Sequence, residues 1–204
     1  MFRNSSILVP TDFSEQADHA RTYALALAKQ FNGTLHFVHV VDATMLAGVR
    51  GDDMSLGGAG AVELLQTMRV YGEQGLAQRA AEAKAEGVSA DQHLVVGNPT
   101  HEILRLIEET QSTLVVLATH GRSGFQHFVF GSVAERIVRE SPVPVLSVKE
   151  PTRKDGALAI RRVLFPTDFS PFSEKARPFA ESLARQFGAT LVLFHATEVP
   201  VMLP

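Results

Sequence analysis

The sequence predicts an α/β fold: a doubly wound, mostly parallel five-stranded sheet with helices on both faces, followed by a strand-helix-strand unit that repeats its N-terminal third. Three observations carry this expectation. Short apolar runs alternate with segments of helical periodicity from residue 7 to residue 148. The stretch at 7–40 returns as residues 163–196, with Pro-Thr-Asp-Phe-Ser intact in both copies. A glycine-rich loop then joins an apolar run to an amphipathic segment in "LATHGRSGFQHFVFGSVAERIV", residues 117–138.

Each copy of the repeat reads as strand, helix, strand. Ile7–Val9 is apolar and stops at Pro10, which has no amide to continue a ladder. Ser14 is placed to cap a helix along which Ala17, Ala20, Tyr23, Ala24, Leu27, Ala28 and Phe31 recur at helical spacing. Gly33 is expected to end that helix, as Gly188 ends its counterpart. In the second copy Pro171 follows Ser170 at the first helical position, where proline is tolerated. "TLHFVHV" is the second strand, and two strands joined by a crossover helix imply parallel, right-handed connection.

Residues 43–60 are glycine-rich and read as a loop, followed by a long helix from about Val62 to Ala85. The strand "DQHLVVG" ends at Gly97, and Asn98 and Pro99 open a third helix. "TLVVLAT" is apolar throughout, as a strand covered on both faces should be. The glycine loop, a fourth helix and the strand "VPVLSV" complete a Rossmann-like domain over residues 1–149. A polar linker at 150–161 leads to a second copy, 162–204, in which everything equivalent to 43–148 is absent. A lone strand-helix-strand unit has little core of its own.

Composition narrows the function. The chain has 204 residues, is 45% hydrophobic, and carries a net charge of −3 without a basic tract, so nucleic acid is not the expected partner. The absence of cysteine excludes disulfides and thiolate metal sites and suits a reducing compartment. No apolar stretch is long enough to span a membrane, and the apolar run near the N-terminus is too short for a signal peptide, so a cytoplasmic location is expected.

Several familiar motifs fail. No G-x-x-x-x-G-K-[ST] is present; "GRSGF" has Phe125 where a nucleophile elbow needs glycine; and "HEILR" has Arg105 where a zinc-protease helix needs histidine. The "GGAG" at 57–60 does not follow a strand as a dinucleotide fingerprint would. Of the eight histidines, His36 and His39 lie three apart on a strand and point to opposite faces, while His120 and His127 flank the glycine loop. No dedicated metal site is expected from them.

What remains is the rim of the sheet. Ligands of open α/β sheets bind at the carboxyl ends of strands, where glycines let amides approach an anion and a helix adds its positive end. Gly131 and Ser132, opening "SVAERIVRE", would offer amides and a hydroxyl to phosphate oxygens; the alternative is that the glycines serve only a tight turn. Asp12 in "VPTDF" lies on the same rim, placed to hold a base, a ribose or a divalent cation; the alternative is that Thr11 and Asp12 only stabilise the strand-to-helix turn.

Together these residues resemble the universal stress protein family. Its nucleotide-binding members carry G-x2-G-x9-G-[S/T], and the register here is Ala118-x2-Gly121-x9-Gly131-Ser132, alongside "VPTDFS", "FVHV", "VVGNP" and "SPVPVLSV". The resemblance implies an ATP-binding stress-response protein that uses ATP (or ADP or AMP), with Mg²⁺, as a regulatory ligand. By it, Pro10, Thr11 and Asp12 border adenine and ribose, Val40 reads the adenine edge through its backbone, and Gly97 lies near the ribose. Gly121, Arg122, Gly131, Ser132 and Val133 then form the phosphate cradle, and Mg²⁺ would sit with the phosphates near Asp12. Ala118 departs from the family glycine, and its methyl group would crowd ribose or phosphate.

The resemblance leaves three readings. The first is the nucleotide binder, with at most slow hydrolysis, since no lysine, paired base and positioned water can be named. The second is a dimeric interaction module of the same fold that binds no nucleotide, which Ala118 favours. The third is an adenine-nucleotide hydrolase of related fold, which needs a further carboxylate or lysine. The Val143–Val148 strand would leave an apolar edge, so self-association through it, or by exchange of the C-terminal unit, is also expected.

Overall fold

The computed structural model describes residues 4–42, 58–119, 131–149 and 160–197. The chain divides into two compact units, with the boundary between Gly156 and Ala157.

The first unit is built on a sheet of five parallel strands: β1 (Ser6–Pro10), β2 (Thr34–Asp42), β3 (Ser89–Gly97), β4 (Leu114–Ala118) and β5 (Val145–Val148), in spatial order β3-β2-β1-β4-β5. Every pairing is parallel, as strands joined by crossover helices must be. Among the described residues four helices make the crossovers: α1 (Glu15–Phe31), α2 (Gly58–Ala85), α3 (Pro99–Glu109) and α4 (Ser132–Glu140).

Strand alternation divides the core into two layers. Leu8, Val38, Val115 and Leu117 point to one face, where Ile103, Leu106 and Ile107 of α3 and Ile137 of α4 seal them. Ile7, Val9 and Phe37 point to the other, the side of α1 and α2, and are fully buried with Ala20, Ala24 and Leu27 of α1 and Leu76 of α2. β4 is buried from Leu114 to Leu117, as its unbroken apolar sequence requires.

The expected caps are present. Ser14 Oγ accepts a hydrogen bond from the Ala17 amide, and Asn98 Oδ1 accepts one from the His101 amide. The end of α1 differs from the expectation: Asn32, not Gly33, adopts the left-handed conformation, at φ 53°. Its counterpart 156 positions on is Gly188, at φ 59°. Asparagine and glycine are the residues that reach this region at least cost, so the two copies solve one terminus in two ways. The long helix also begins earlier than expected, at Gly58, so residues 58–60 of the expected glycine loop are its first turn. β3 starts at Ser89, before Asp91, and β5 starts at Val145, after Pro144, whose carbonyl already accepts from the Val115 amide at 3.0 Å.

The second unit holds β6 (Arg162–Pro166), α5 (Pro171–Phe187) and β7 (Thr190–Phe194), with β6 and β7 parallel. Ser170 caps α5 by accepting from the Ser173 amide. Phe165 is buried, but Leu164, the counterpart of fully buried Leu8, is 61% exposed. The second unit has no counterpart of α3 and α4 among its described residues to cover that face.

Candidate functional site

The carboxyl ends of β1, β2 and β4 meet the first turns of α3 and α4 around a cleft of about 360 Å³. That volume lies within the range of small-molecule sites. At its floor β1 ends in Pro10 and Thr11, and the Thr11 amide donates to Val38 O at 2.8 Å, so the strand still holds β2 as it turns. Thr11 Oγ1 accepts from the Phe13 amide at 3.0 Å. Asp12 Oδ1 accepts from the Ser14 amide at 3.0 Å and from Ser14 Oγ at 2.6 Å. The turn-stabilising role that the sequence left open for Thr11 and Asp12 is therefore present, and both residues also line the cleft.

On the far side β4 ends at Ala118. The Thr119 amide donates to Val148 O, and the Gly131 amide donates to Thr119 O at 2.7 Å, so the segment leaving at 119 returns at 131 to the same point. α4 starts there. Ser14, Asn98 and Ser170 cap their helices with side-chain oxygens, but α4 has Gly131 at its N-cap and no side-chain cap. The amides of Ser132, Val133 and Ala134 precede the first intrahelical hydrogen bond, which runs from Glu135 to Gly131 O, and these residues line the cleft.

The cleft thus gathers Pro10, Thr11, Asp12, Val40, Ala118, Gly131, Ser132 and Val133 of the expected site residues. Gly97 does not line it; it pairs with Asp42 at the end of β3, and a Cβ there would lie 3.0 Å from Glu102 Cγ. Gly121, Arg122, His120 and His127 lie outside the described residues. The structure adds His39, Ile103 and Thr119 to the lining. Ile103 had a visible signal, being apolar near the start of a capped helix; His39 had only its place on the strand.

The histidines behave as the strand period dictates. His39 faces Thr11, with Nδ1 2.8 Å from its carbonyl, while His36 faces the opposite side and lies 3.2 Å from His93. Among the described residues no cluster of three acidic or histidine side chains is placed to hold a metal. Among the described residues Asp12 is the one carboxylate lining the cleft.

Comparison with known proteins settles the kinship. The model of the universal stress protein family matches residues 3–149. The chain belongs to that family. A universal stress protein of Methanocaldococcus jannaschii is 30% identical over 149 residues, covering 72% of this chain and 84% of the relative. The crystal structure of a universal stress protein from Archaeoglobus fulgidus DSM 4304 superposes with a TM-score of 0.77 at 25% identity, covering 98% of this chain and 69% of that one. A universal stress protein solved in complex with cAMP shares the fold, with a TM-score of 0.51 at 22% identity over 72% of this chain and 98% of that one. As a universal stress protein the chain has the mostly parallel five-stranded sheet of its relatives. Among the described residues no helix is long and apolar enough to cross a membrane.

Proposed function

We propose that this universal stress protein binds an adenine nucleotide, ATP or its ADP or AMP products, as a regulatory ligand in a stress response. The observation that carries the reading is the cleft itself: a mostly apolar floor at the ends of β1 and β2 lies opposite the uncapped first turn of α4. A base and ribose suit the side of Pro10, Thr11, Asp12 and Val40. Phosphates suit the amides of Ser132 and Val133, where the helix dipole favours negative charge. Gly97 near the ribose, and Gly121 and Arg122 at the phosphates, belong to this proposal from the family motif. Mg²⁺ would enter with the phosphates and take Asp12 as a single protein ligand. The cAMP complex of a fold relative is in keeping with an adenine nucleotide here.

Hydrolysis is expected to be slow at most. Among the described residues Asp12 is the one acid in the lining, and its Oδ1 already accepts two hydrogen bonds from Ser14. One observation favours the second reading, an interaction module without nucleotide: Ala118 adds a methyl group to the cleft where the family's binders have glycine. The proposal further includes a nucleotide-binding domain over 1–149, a linker at 150–161 and a strand-helix-strand copy of its N-terminal third over 162–204. It also includes a cytoplasmic location and self-association, through the edge strand β5 or by exchange of the C-terminal unit.

The test is to denature the purified chain and identify any released nucleotide by chromatography and mass spectrometry, before and after loading with Mg-ATP and desalting. With no Trp and two Tyr, the chain leaves the nucleotide absorbance uncrowded. Stoichiometric adenine nucleotide supports the reading. None after loading favours the interaction module, and release of ADP or AMP at a catalytic rate favours the hydrolase.

A further inference from the structure

Both copies of the repeat contain the same small lock behind the strand-to-helix turn. In the first, His39 Nδ1 lies 2.8 Å from Thr11 O, and since a carbonyl only accepts, Nδ1 carries the proton. Phe13 sits at φ 65°, a rare conformation for a bulky residue, with its amide donating to Thr11 Oγ1 at 3.0 Å. Its ring lies on the His39 imidazole, with centroids 4.4 Å apart. In the second copy His195 Nδ1 lies 2.7 Å from Thr167 O, Phe169 sits at φ 61°, and its ring centroid is 4.6 Å from that of His195.

The surroundings of the two locks differ. Over Phe13, Tyr71 packs edge-on at 5.5 Å and the Arg79 guanidinium lies 4.7 Å from the ring centre, itself held by Asp18 at 2.8 Å. α2 comes this close through glycines: a Cβ at Gly72 would be 2.9 Å from His39 Cδ2, and one at Gly75 would be 2.8 Å from the Phe13 ring. Among the described residues Phe169 has no such cover, and it is 69% exposed. Since the lock forms in both settings, it does not depend on α2; it is made within the strand-helix-strand repeat, by Thr, Phe and His that the parallel pairing of its two strands brings together. What distinguishes the first copy is that Thr11, Asp12 and His39 also line the cleft.

We propose that His39 is a positioning residue of the nucleotide site: its Nδ1–H fixes the Thr11 carbonyl, and so sets the direction in which Thr11 and Asp12 face the cleft. This rests on the nucleotide-binding reading. Backbone held in a sparsely populated conformation beside a cleft is where pre-organisation is expected, because the ordering cost is met before the ligand arrives. His195 makes the same contact in the second copy, and it does not line the cleft, so it serves as an internal control.

The experiment measures ATP affinity, by calorimetry with Mg-ATP, for the wild type and for His39→Leu, His39→Asn and His195→Leu in the full chain. Loss of the donor in His39→Leu is expected to weaken binding roughly tenfold, the scale of one hydrogen bond in a partly buried site. Asparagine places an amide donor near the position of Nδ1, so His39→Asn is expected to recover affinity to within about threefold of wild type. His195→Leu is expected to bind as wild type does. Independently, long-range proton–nitrogen correlation on the wild type is expected to show the neutral His39 ring protonated at Nδ1, which decides the lock even where His39→Leu fails to fold. Wild-type affinity in His39→Leu, equal weakening in His195→Leu, or a ring protonated only at Nε2 would each overturn the inference while leaving nucleotide binding intact. A wild-type chain that binds no adenine nucleotide would overturn both.

Discussion

His36 Nδ1 and His93 Nε2 face each other at 3.2 Å across β2 and β3, a hydrogen bond that needs one proton and does not tolerate two charges. Burial pushes the pKa of His36 below its ordinary 6.5, and His93 pushes it further, against the pull of Asp91. Burial likewise lowers His93, opposed by Asp91 and Glu109. Both rings bind protons less readily in the folded chain than in the unfolded one. Stability is therefore full above about pH 6.5 and is lost as pH falls from there through the lowered folded values. Thermal melts at stepped pH from 7.5 to 5 should show this decline. His93→Gln should flatten it, and an unchanged slope in that variant would assign the acid sensitivity elsewhere.

Ala118 and Gly131 lie on the same side of the cleft, where the Gly131 amide donates to Thr119 O at 2.7 Å, and they predict opposite substitution effects. Ala118→Gly should tighten adenine-nucleotide binding by a few-fold, because it removes one methyl group, a change worth about 1–3 kcal/mol when fully expressed in a tight pocket. Gly131→Val should abolish loading with Mg-ATP. The backbone at Gly131, φ −70° and ψ 153°, suits any residue, so the loss would report the cleft and not the fold. Equal circular dichroism with no retained nucleotide is the expected pair of readings.

Gly75 should resist even alanine. Alanine gains about 1 kcal/mol of helix propensity over glycine. Yet its Cβ would lie 2.8 Å from Phe13 Cε1 and Cζ, on a ring hemmed in by His39 at 4.4 Å and by Arg79 at 4.7 Å. Overpacking of this kind costs about 1–3 kcal/mol, so Gly75→Ala should lower stability on balance. A Tm above that of the wild type would show that the ring yields.

The end of α1 offers a matched pair. Asn32→Ala keeps a β-carbon in the left-handed region but loses the short polar side chain that offsets its strain, and should cost about 1 kcal/mol, whereas Asn32→Gly copies the solution at Gly188 and should be close to neutral. Urea denaturation of both variants checks this. Equal loss in both would mean that the Asn32 side chain, which donates to Asn4 Oδ1 at 3.2 Å, matters more than the dihedral.

Much of this was written locally. The repeat, the caps at Ser14, Asn98 and Ser170, and the unbroken apolar run of β4 announce strands, helices and their order, because each depends on neighbours within a few residues. The opposite facing of His36 and His39 follows from the strand period alone. Residues Pro10, Thr11, Asp12, Gly131 and Ser132 were legible as a rim because strand ends and helix starts are legible. Tertiary structure decided the rest. Whether Gly33 or Asn32 turns left depends on where the chain must enter β2, and the start of α2 at Gly58 was hidden by glycines that read equally as loop. The meeting of His39 with Thr11, of His36 with His93, and of Gly75 with Phe13 joins residues from 28 to 62 positions apart. Pairings at that separation are set by how strands order in the sheet and by which helix crosses them, and no local pattern encodes them.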